Sequence, residues 1–173
     1  SYSSAFIPTQ IGTDSNWSMI ATEFTFGLGL KSNGTIWAWG SNSSGQFGNG
    51  TTNNSLSPIQ IGTENDWKYI DSGNSNFFAI KNNGSLWSTG YNYAGMLGNN
   101  TLNNSQTLTQ IGTDLDWKEV SSQLFQTIAL KTNNIGFGWG SNYFGQIGNG
   151  YFNNGSVTDT NNYYLPVQIN CPC

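Results

Sequence analysis

Nine carboxylates, two cysteines and a group of tyrosines are the residues of this chain whose types could do chemistry. The acids are Asp14, Glu23, Glu64, Asp66, Asp71, Asp114, Asp116, Glu119 and Asp159. A spaced pair of carboxylates can cleave a glycosidic bond. Most acid–base catalysis near neutral pH recruits histidine, and this sequence has none. No Ser-His or Cys-His pair can form. The acids also recur instead of converging. Asp14, Glu64 and Asp114 share one position of a 50-residue repeat, and Asn16, Asp66 and Asp116 share another. Both positions lie just before a tryptophan, where Asp and Asn close turns through their own backbone. Glu64-Asn65-Asp66 and Asp114-Leu115-Asp116 offer hard oxygen ligands, but the spacing of a calcium loop is missing. The expectation is no catalytic residue, no cofactor and no metal.

Cys171 and Cys173 stand together near the end. They make no disulfide framework. They cannot complete a zinc site without histidine or further cysteines. Three readings stay open: an interchain disulfide where two tails meet, a local Cys171–Cys173 bond, or an inert tail. Asn-x-Ser/Thr occurs at Asn16, Asn33, Asn42, Asn49, Asn53, Asn83, Asn99, Asn103 and Asn154. These are glycan acceptors only in a secretory context. At Asn33, Asn49, Asn83 and Asn154 an Asn-Gly tight turn is the preferred explanation of the residue. Tyr91, Tyr93, Tyr143, Tyr151, Tyr163 and Tyr164 fall mostly in expected loops and lack counterparts in every repeat. Aromatics beside Asn and Ser suit a contact surface for a protein or a glycan.

Composition narrows the partners. Of 173 residues only 8% are charged, the net charge is -4, and all five cations are lysines. Nucleic acid is excluded, because phosphate binding needs a basic stripe. An anionic membrane surface is excluded on the same ground. No run of about 18 apolar residues is present to span a bilayer. Solubility rests on 25 Asn, 20 Ser and 17 Thr, which points to an extracellular or cell-surface protein. Ser1 is not an initiator methionine and no signal-peptide pattern follows it. Either a leader has been removed or the chain starts inside a longer protein.

The elements that position these residues are repeated. Ile11-Gly12-Thr13 recurs as Ile61-Gly62-Thr63 and Ile111-Gly112-Thr113, and Trp17 as Trp67 and Trp117. Such a period marks stacked supersecondary units. In the second copy, Ile59-Gln60-Ile61, Trp67 to Ile70, Phe77 to Lys81 and Ser85 to Thr89 read as strands. Asn82-Asn83-Gly84 is a hairpin turn, and a glycine-bearing loop runs from Gly90 to Ser105. Four short strands in about 50 residues fit a propeller blade, and no stretch has helical periodicity. The fold class expected is all-β.

Leu30 to Asn42 followed by Gly45-Gln46-Phe47-Gly48-Asn49-Gly50 resembles the repeat of the regulator of chromosome condensation family. Its hallmark is Trp-Gly-x-Asn followed by Gly-Gln-Leu-Gly. Trp139-Gly140-Ser141-Asn142 with Gly145-Gln146-Ile147-Gly148 matches as well, whereas the second copy has Thr89 and Met96 at two motif positions. The resemblance implies blades of a seven-bladed propeller. Three blades cannot close, since propellers close with four to eight. The family's nucleotide-exchange and chromatin role is disfavoured by the acidic composition and low blade count.

The boundaries expected are an arm at 1–7, repeats at 8–57, 58–107 and 108–165, and a duplicated strand with the Cys tail at 166–173. Pro8, Gln10 and Ile11 open the first repeat and return as Pro166, Val167, Gln168 and Ile169. Open ends of such an array invite pairing with another chain. The function expected is a non-catalytic, extracellular structural protein that assembles with itself through these strands into an oligomer or filament. The alternative is a protein- or glycan-binding module cut from a longer propeller, or a capped monomer whose extra strand finishes its own third blade.

Overall fold

The computed structural model describes residues 7, 8, 10, 12–151 and 162–169. Within them twelve strands form three antiparallel four-stranded sheets, with no helix. The first sheet is β1 (Trp17–Thr22), β2 (Phe26–Lys31), β3 (Ile36–Gly40) and β4 (Ser55–Ile61), paired in chain order. The second is β5 (Trp67–Gly73), β6 (Asn76–Lys81), β7 (Leu86–Gly90) and β8 (Ser105–Gln110). The third is β9 (Trp117–Gln123), β10 (Gln126–Lys131), β11 (Gly136–Gly140) and β12 (Tyr163–Gln168). These are three propeller blades.

The sheets are out of phase with the repeat boundaries expected from the sequence. Each opens on Trp17, Trp67 or Trp117 and closes on the strand assigned above to the following repeat. Thus Pro58 lies in β4, and Pro166 to Gln168 lie in β12, where Val167 pairs with Gly138 and Gln168 with Phe137. A period fixes the length of a unit but not its starting point. Both prolines sit on an outer strand, where a missing N–H costs no ladder bond.

In the middle blade, side chains of β6 serve both neighbours. Phe26, Leu28 and Leu30 of β2 pack against Phe77 and Ala79 of β6 in one core cluster. Phe78 and Ile80, on the other face of β6, pack with Val120, Ala129 and Trp139 in a second. Every residue of β6 is buried, as expected for a blade covered on both faces. Tight turns close the β2–β3 and β6–β7 hairpins. Asn33 Oδ1 accepts from Thr35 N at 3.2 Å and Thr35 Oγ1 at 2.8 Å, and Trp37 Nε1 donates to that hydroxyl at 3.1 Å. Asn83, Ser85 and Trp87 repeat the arrangement. Gly34 and Gly84 have φ of 78° and 85°, and an added Cβ would lie 2.1 and 2.0 Å from the carbonyl oxygens of Asn65 and Leu115 in the next blade. Only glycine allows that approach.

Candidate functional site

The blade meander gives the array two rims. One carries the β1–β2, β5–β6 and β9–β10 turns together with the loops that follow β3, β7 and β11. A buried asparagine holds each loop. Asn92 Oδ1 accepts from Leu97 N at 2.9 Å, and its Nδ2 donates to Thr101 O at 2.9 Å and Asn103 O at 3.1 Å. Asn42 and Asn142 do the same with Phe47 N and Thr51 O, and with Ile147 N and Tyr151 O. The loop then hooks the outer strand of the next blade: Gly50 N donates to Gln106 O, and Asn100 N to Tyr164 O.

On this rigid base the loops and turns present a patch of aromatics. Tyr91 and Tyr93 stack at 6.3 Å, and Tyr93 meets Phe125 at 6.4 Å across the boundary between the second and third blades. Tyr143 and Phe144 form an edge-to-face pair at 4.7 Å. Phe24, Tyr93, Leu124, Phe125, Tyr143 and Phe144 are all exposed, Phe24 by 95% and Phe144 by 83%. Among the described residues of this rim, Glu23 is the only ionisable side chain apart from tyrosine.

The charges gather on the opposite rim, where each blade builds a clamp around one lysine. Lys81 Nζ lies 2.8 Å from Glu64 Oε1 and 3.3 Å from Asp66 Oδ1, and 4.7 and 5.1 Å from the ring centres of Trp67 and Trp87. Lys131 repeats this with Asp114, Asp116, Trp117 and Phe137. Lys31 does so with Asp14, Trp17 and Trp37. Burial draws the Lys81 and Lys131 ammonium groups down, but the paired carboxylates outweigh it and hold both above the ordinary lysine value. A permanently charged, ion-paired lysine is neither a nucleophile nor a base. The acids before each tryptophan, expected to cap turns, instead neutralise these lysines. The lysine period of 50 was visible in the sequence, but its partners 17 residues upstream were not linked to it.

One acid lies apart. Asp71 in β5 accepts from Ser122 N of the next blade at 2.8 Å. Burial pushes its carboxyl up to about 6, against the backbone donors Ser122 and Ser72. No second carboxylate faces it in a catalytic pairing, and no cluster of three metal-ligating side chains occurs among the described residues. No helix among them is long and apolar enough to cross a membrane.

The other residues singled out from sequence fall as follows. Tyr163 and Tyr164 lie in β12 and not in a loop. Tyr163 packs on the second core cluster, and Tyr164 covers Gly95. Tyr151 is exposed beside the third loop. Asn42 is fully buried with its Nδ2 donating to Thr51 O, so the folded chain has no room for a glycan there. Asn16, Asn33, Asn49, Asn53, Asn83 and Asn103 are exposed and Asn99 is half-buried. Pro8 and Gln10 are exposed and outside any strand, whereas Pro166 and Val167 are half-buried in β12. Ile11, Asn154, Cys171 and Cys173 lie outside the described residues. Phe24, Leu124, Phe125 and Phe144 were missed, because isolated apolar residues in a sequence do not reveal that turns and loops share one rim.

Comparison with known proteins agrees with this geometry. Residues 33–80 match the family model of the Regulator of chromosome condensation (RCC1) repeat. Human WBSCR16 superposes with a TM-score of 0.78 at 21% identity, over 95% of this chain and 43% of that one. Prp20p from Saccharomyces cerevisiae, a structure described with its binding to Gsp1p and histones, gives 0.79 at 19% identity over 94% and 41%. Yeast RCC1 (Prp20), in a structure with Kap60 bound, gives 0.77 at 20% over 92% and 39%. The chain thus spans about two fifths of the length of these structures. No curated protein sequence matches it. The three blades thus share the fold of RCC1-type propeller blades, and residues 33–80 match the RCC1 repeat; the three described sheets do not close into a ring.

Proposed function

We propose that the chain is a non-catalytic, protein-binding propeller segment whose aromatic rim is the contact surface. The observation that carries the reading is the segregation of side chains between rims. One rim pairs Lys31, Lys81 and Lys131 with its own carboxylates, while the other exposes Phe24, Tyr93, Leu124, Phe125, Tyr143 and Phe144. Interface cores are depleted of charge and enriched in Tyr and Phe, and exposed apolar patches of this kind mark contact sites. The fold supports a binding role, since the RCC1 structures above include one with a bound protein and one described with protein partners. The absence of histidine and the ion-paired state of the buried lysines support a role without catalysis. The composition supports an extracellular or cell-surface location.

The test compares proteins captured by the native chain and by a Tyr93→Ser, Phe125→Ser, Phe144→Ser variant of equal stability. A partner that is lost from this variant, and kept by an opposite-rim Asn82→Asp variant, upholds the reading. A partner set that does not distinguish them, or a glycan that competes for the same rim, overturns it.

A second reading, homo-oligomer formation through the ends of the array, is favoured by the outer face of the third blade. There Ile128 and Leu130 are only half-buried, whereas the matching Leu28 and Leu30, and Phe78 and Ile80, are buried. Because Pro166 to Gln168 are already paired in β12, such assembly would join blade faces and would not donate that strand.

A further inference from the structure

We propose that a cleft on the aromatic rim, between the inner turns of the three blades, takes an arginine side chain of the protein partner. Glu23 is its counter-ion, and Phe24 and Leu124 are its walls. This rests on the aromatic-rim reading and names the chemistry of the partner's anchor.

The β1–β2, β5–β6 and β9–β10 turns converge because β1, β5 and β9 stand side by side. They share one register: Glu23 N donates to Phe26 O, Gly73 pairs with Asn76, and Gln123 with Gln126. Between them lies a cleft of about 430 Å³, lined by residues 22–24, 72–74 and 122–124. The direction of Glu23 follows from the repeat. Gly73 is the matching residue, and a Cβ there would point into the next blade, 2.8 Å from Ser122 Cβ. Glu23 carries a real side chain in that direction, toward Ser72, the residue that matches Ser122. At the second junction the place is closed. Ser122 Oγ lies 3.0 Å from Thr127 Oγ1 and 3.4 Å from Asn76 Oδ1, which makes that side of the cleft a fixed wall.

The cleft does not depend on either end of the array. It centres on the turn of the middle blade, whose central strand is covered on both faces within the chain. It opens along the rim, so a blade stacked on the first or the third would lengthen the rim and not roof it. Leu124, with a complete blade before it, is still 65% exposed.

Its polar groups are unspent. Glu23, Ser72 and Asn74 are half-buried, and none makes a side-chain hydrogen bond or ion pair among the described residues. A second carboxylate stands behind the floor, where Asp71 accepts from Ser122 N at 2.8 Å. No lysine balances these acids. Lys31, Lys81 and Lys131 are paired on the opposite rim. Lys68 and Lys118 lie four residues from Ser72 and Ser122, about 13 Å of strand away.

This chemistry asks for a cation on an apolar stem. Phe24 is 95% exposed and offers its ring to a guanidinium. Leu124 is held at φ 49°, a conformation that leucine rarely takes, with its side chain at the cleft. An arginine stem packs on such walls while its planar fork bonds the Glu23 carboxylate and keeps donors for Ser72 Oγ and Asn74 Oδ1. Arginine is also a frequent anchor of protein interfaces.

The experiment follows the isotope-labelled chain by NMR at neutral pH. It is titrated with acetyl-Leu-Arg-Leu-amide and with the citrulline counterpart, which keeps the shape and removes the charge. The arginine peptide is expected to shift the backbone amides of Glu23, Ser72, Gly73 and Asn74. It should bind about fivefold or more tightly than the citrulline peptide, with the preference shrinking as salt rises. Glu23→Gln should remove the preference. Asn74→Lys, which sets a cation beside Glu23, should abolish binding. Neither variant has a side-chain hydrogen bond to lose, so circular dichroism should not change. Equal affinity for the two peptides, a preference that survives Glu23→Gln, or no shift at these amides overturns the proposal. The rim reading is judged apart, because Tyr93, Phe125 and Phe144 lie outside the cleft. A protein partner lost from the triple variant of those residues leaves the rim reading standing where the peptides sink this one. A partner indifferent to that variant sinks the rim reading, whatever the peptides do.

Discussion

Replacing Asn92 by alanine should cost the fold about 3–5 kcal/mol, although the residue touches neither rim surface. Asn92 is fully buried and holds the second loop through five hydrogen-bond partners: Leu97 N, Thr101 O, Thr101 Oγ1, Asn103 O and Asn99 Oδ1. Alanine leaves Leu97 N–H unpaired at a residue with no solvent exposure, which costs about 1–3 kcal/mol. Thr101 and Asn103 are exposed, so their carbonyls recover water and lose only the net worth of a bond, about 1 kcal/mol each. The sum is a large share of the roughly 5–15 kcal/mol that holds an ordinary domain. In urea, with a slope of about 2 kcal/mol/M, the midpoint should fall by about 2 M at unchanged slope. Asn142→Ala should cost less, about 2–4 kcal/mol, because that side chain has three partners among the described residues. A loss below about 1 kcal/mol for Asn92→Ala, or a larger loss for Asn142→Ala, would refute the latch.

The remaining predictions use the same geometry. Gly84→Ala should destabilise by about 3 kcal/mol or more, because its Cβ would strike Leu115 O at 2.0 Å, whereas Gly62→Ala, with open space around it, should cost about 1 kcal/mol; thermal melts decide. Lys81→Met should cost about 1–2 kcal/mol, since it leaves Glu64 and Asp66 without a counter-ion, but both are about half exposed and find water. Asp71 has a folded-state carboxyl raised to about 6 from 3.8, so its contribution is fully present below pH 3.8 and is lost as pH rises through about 6. Asp71→Asn can still accept from Ser122 N. It should therefore stabilise the protein above pH 6 by about 1–2 kcal/mol after screening by solvent, and change little at pH 4. A Tyr93→Ser chain should melt within about 0.5 kcal/mol of the native one, because Tyr93 is 70% exposed.

Much of the fold was legible because the repeat states it three times. The strand positions in the second copy, the Asn82-Asn83-Gly84 turn and the all-β class follow from residues whose spacing is local. The phase of the blades was not legible. Pro58 and Pro166 look like openings of a repeat, and only pairing across the sheet shows that they close the preceding blade. The clamp was half legible: Lys31, Lys81 and Lys131 share a position, but an ion pair over 17 residues depends on how a link folds back over a strand. The rim was least legible. Tyr91 and Tyr93 were found as loop aromatics, while Phe125 joins them only because turn and loop meet at a blade boundary. Tyr163 and Tyr164 looked like their equals and are strand residues that pack inward.

The most direct test of the binding claim is a site-specific photocrosslink. A photoreactive phenylalanine analogue is placed at Tyr93 on the aromatic rim, or at the exposed Asn82 on the opposite rim, and the chain is irradiated with its captured protein partner. A partner adduct at position 93, and none at 82, is the result this account expects. Adducts at 82 alone, or at neither position while the complex survives, would contradict it.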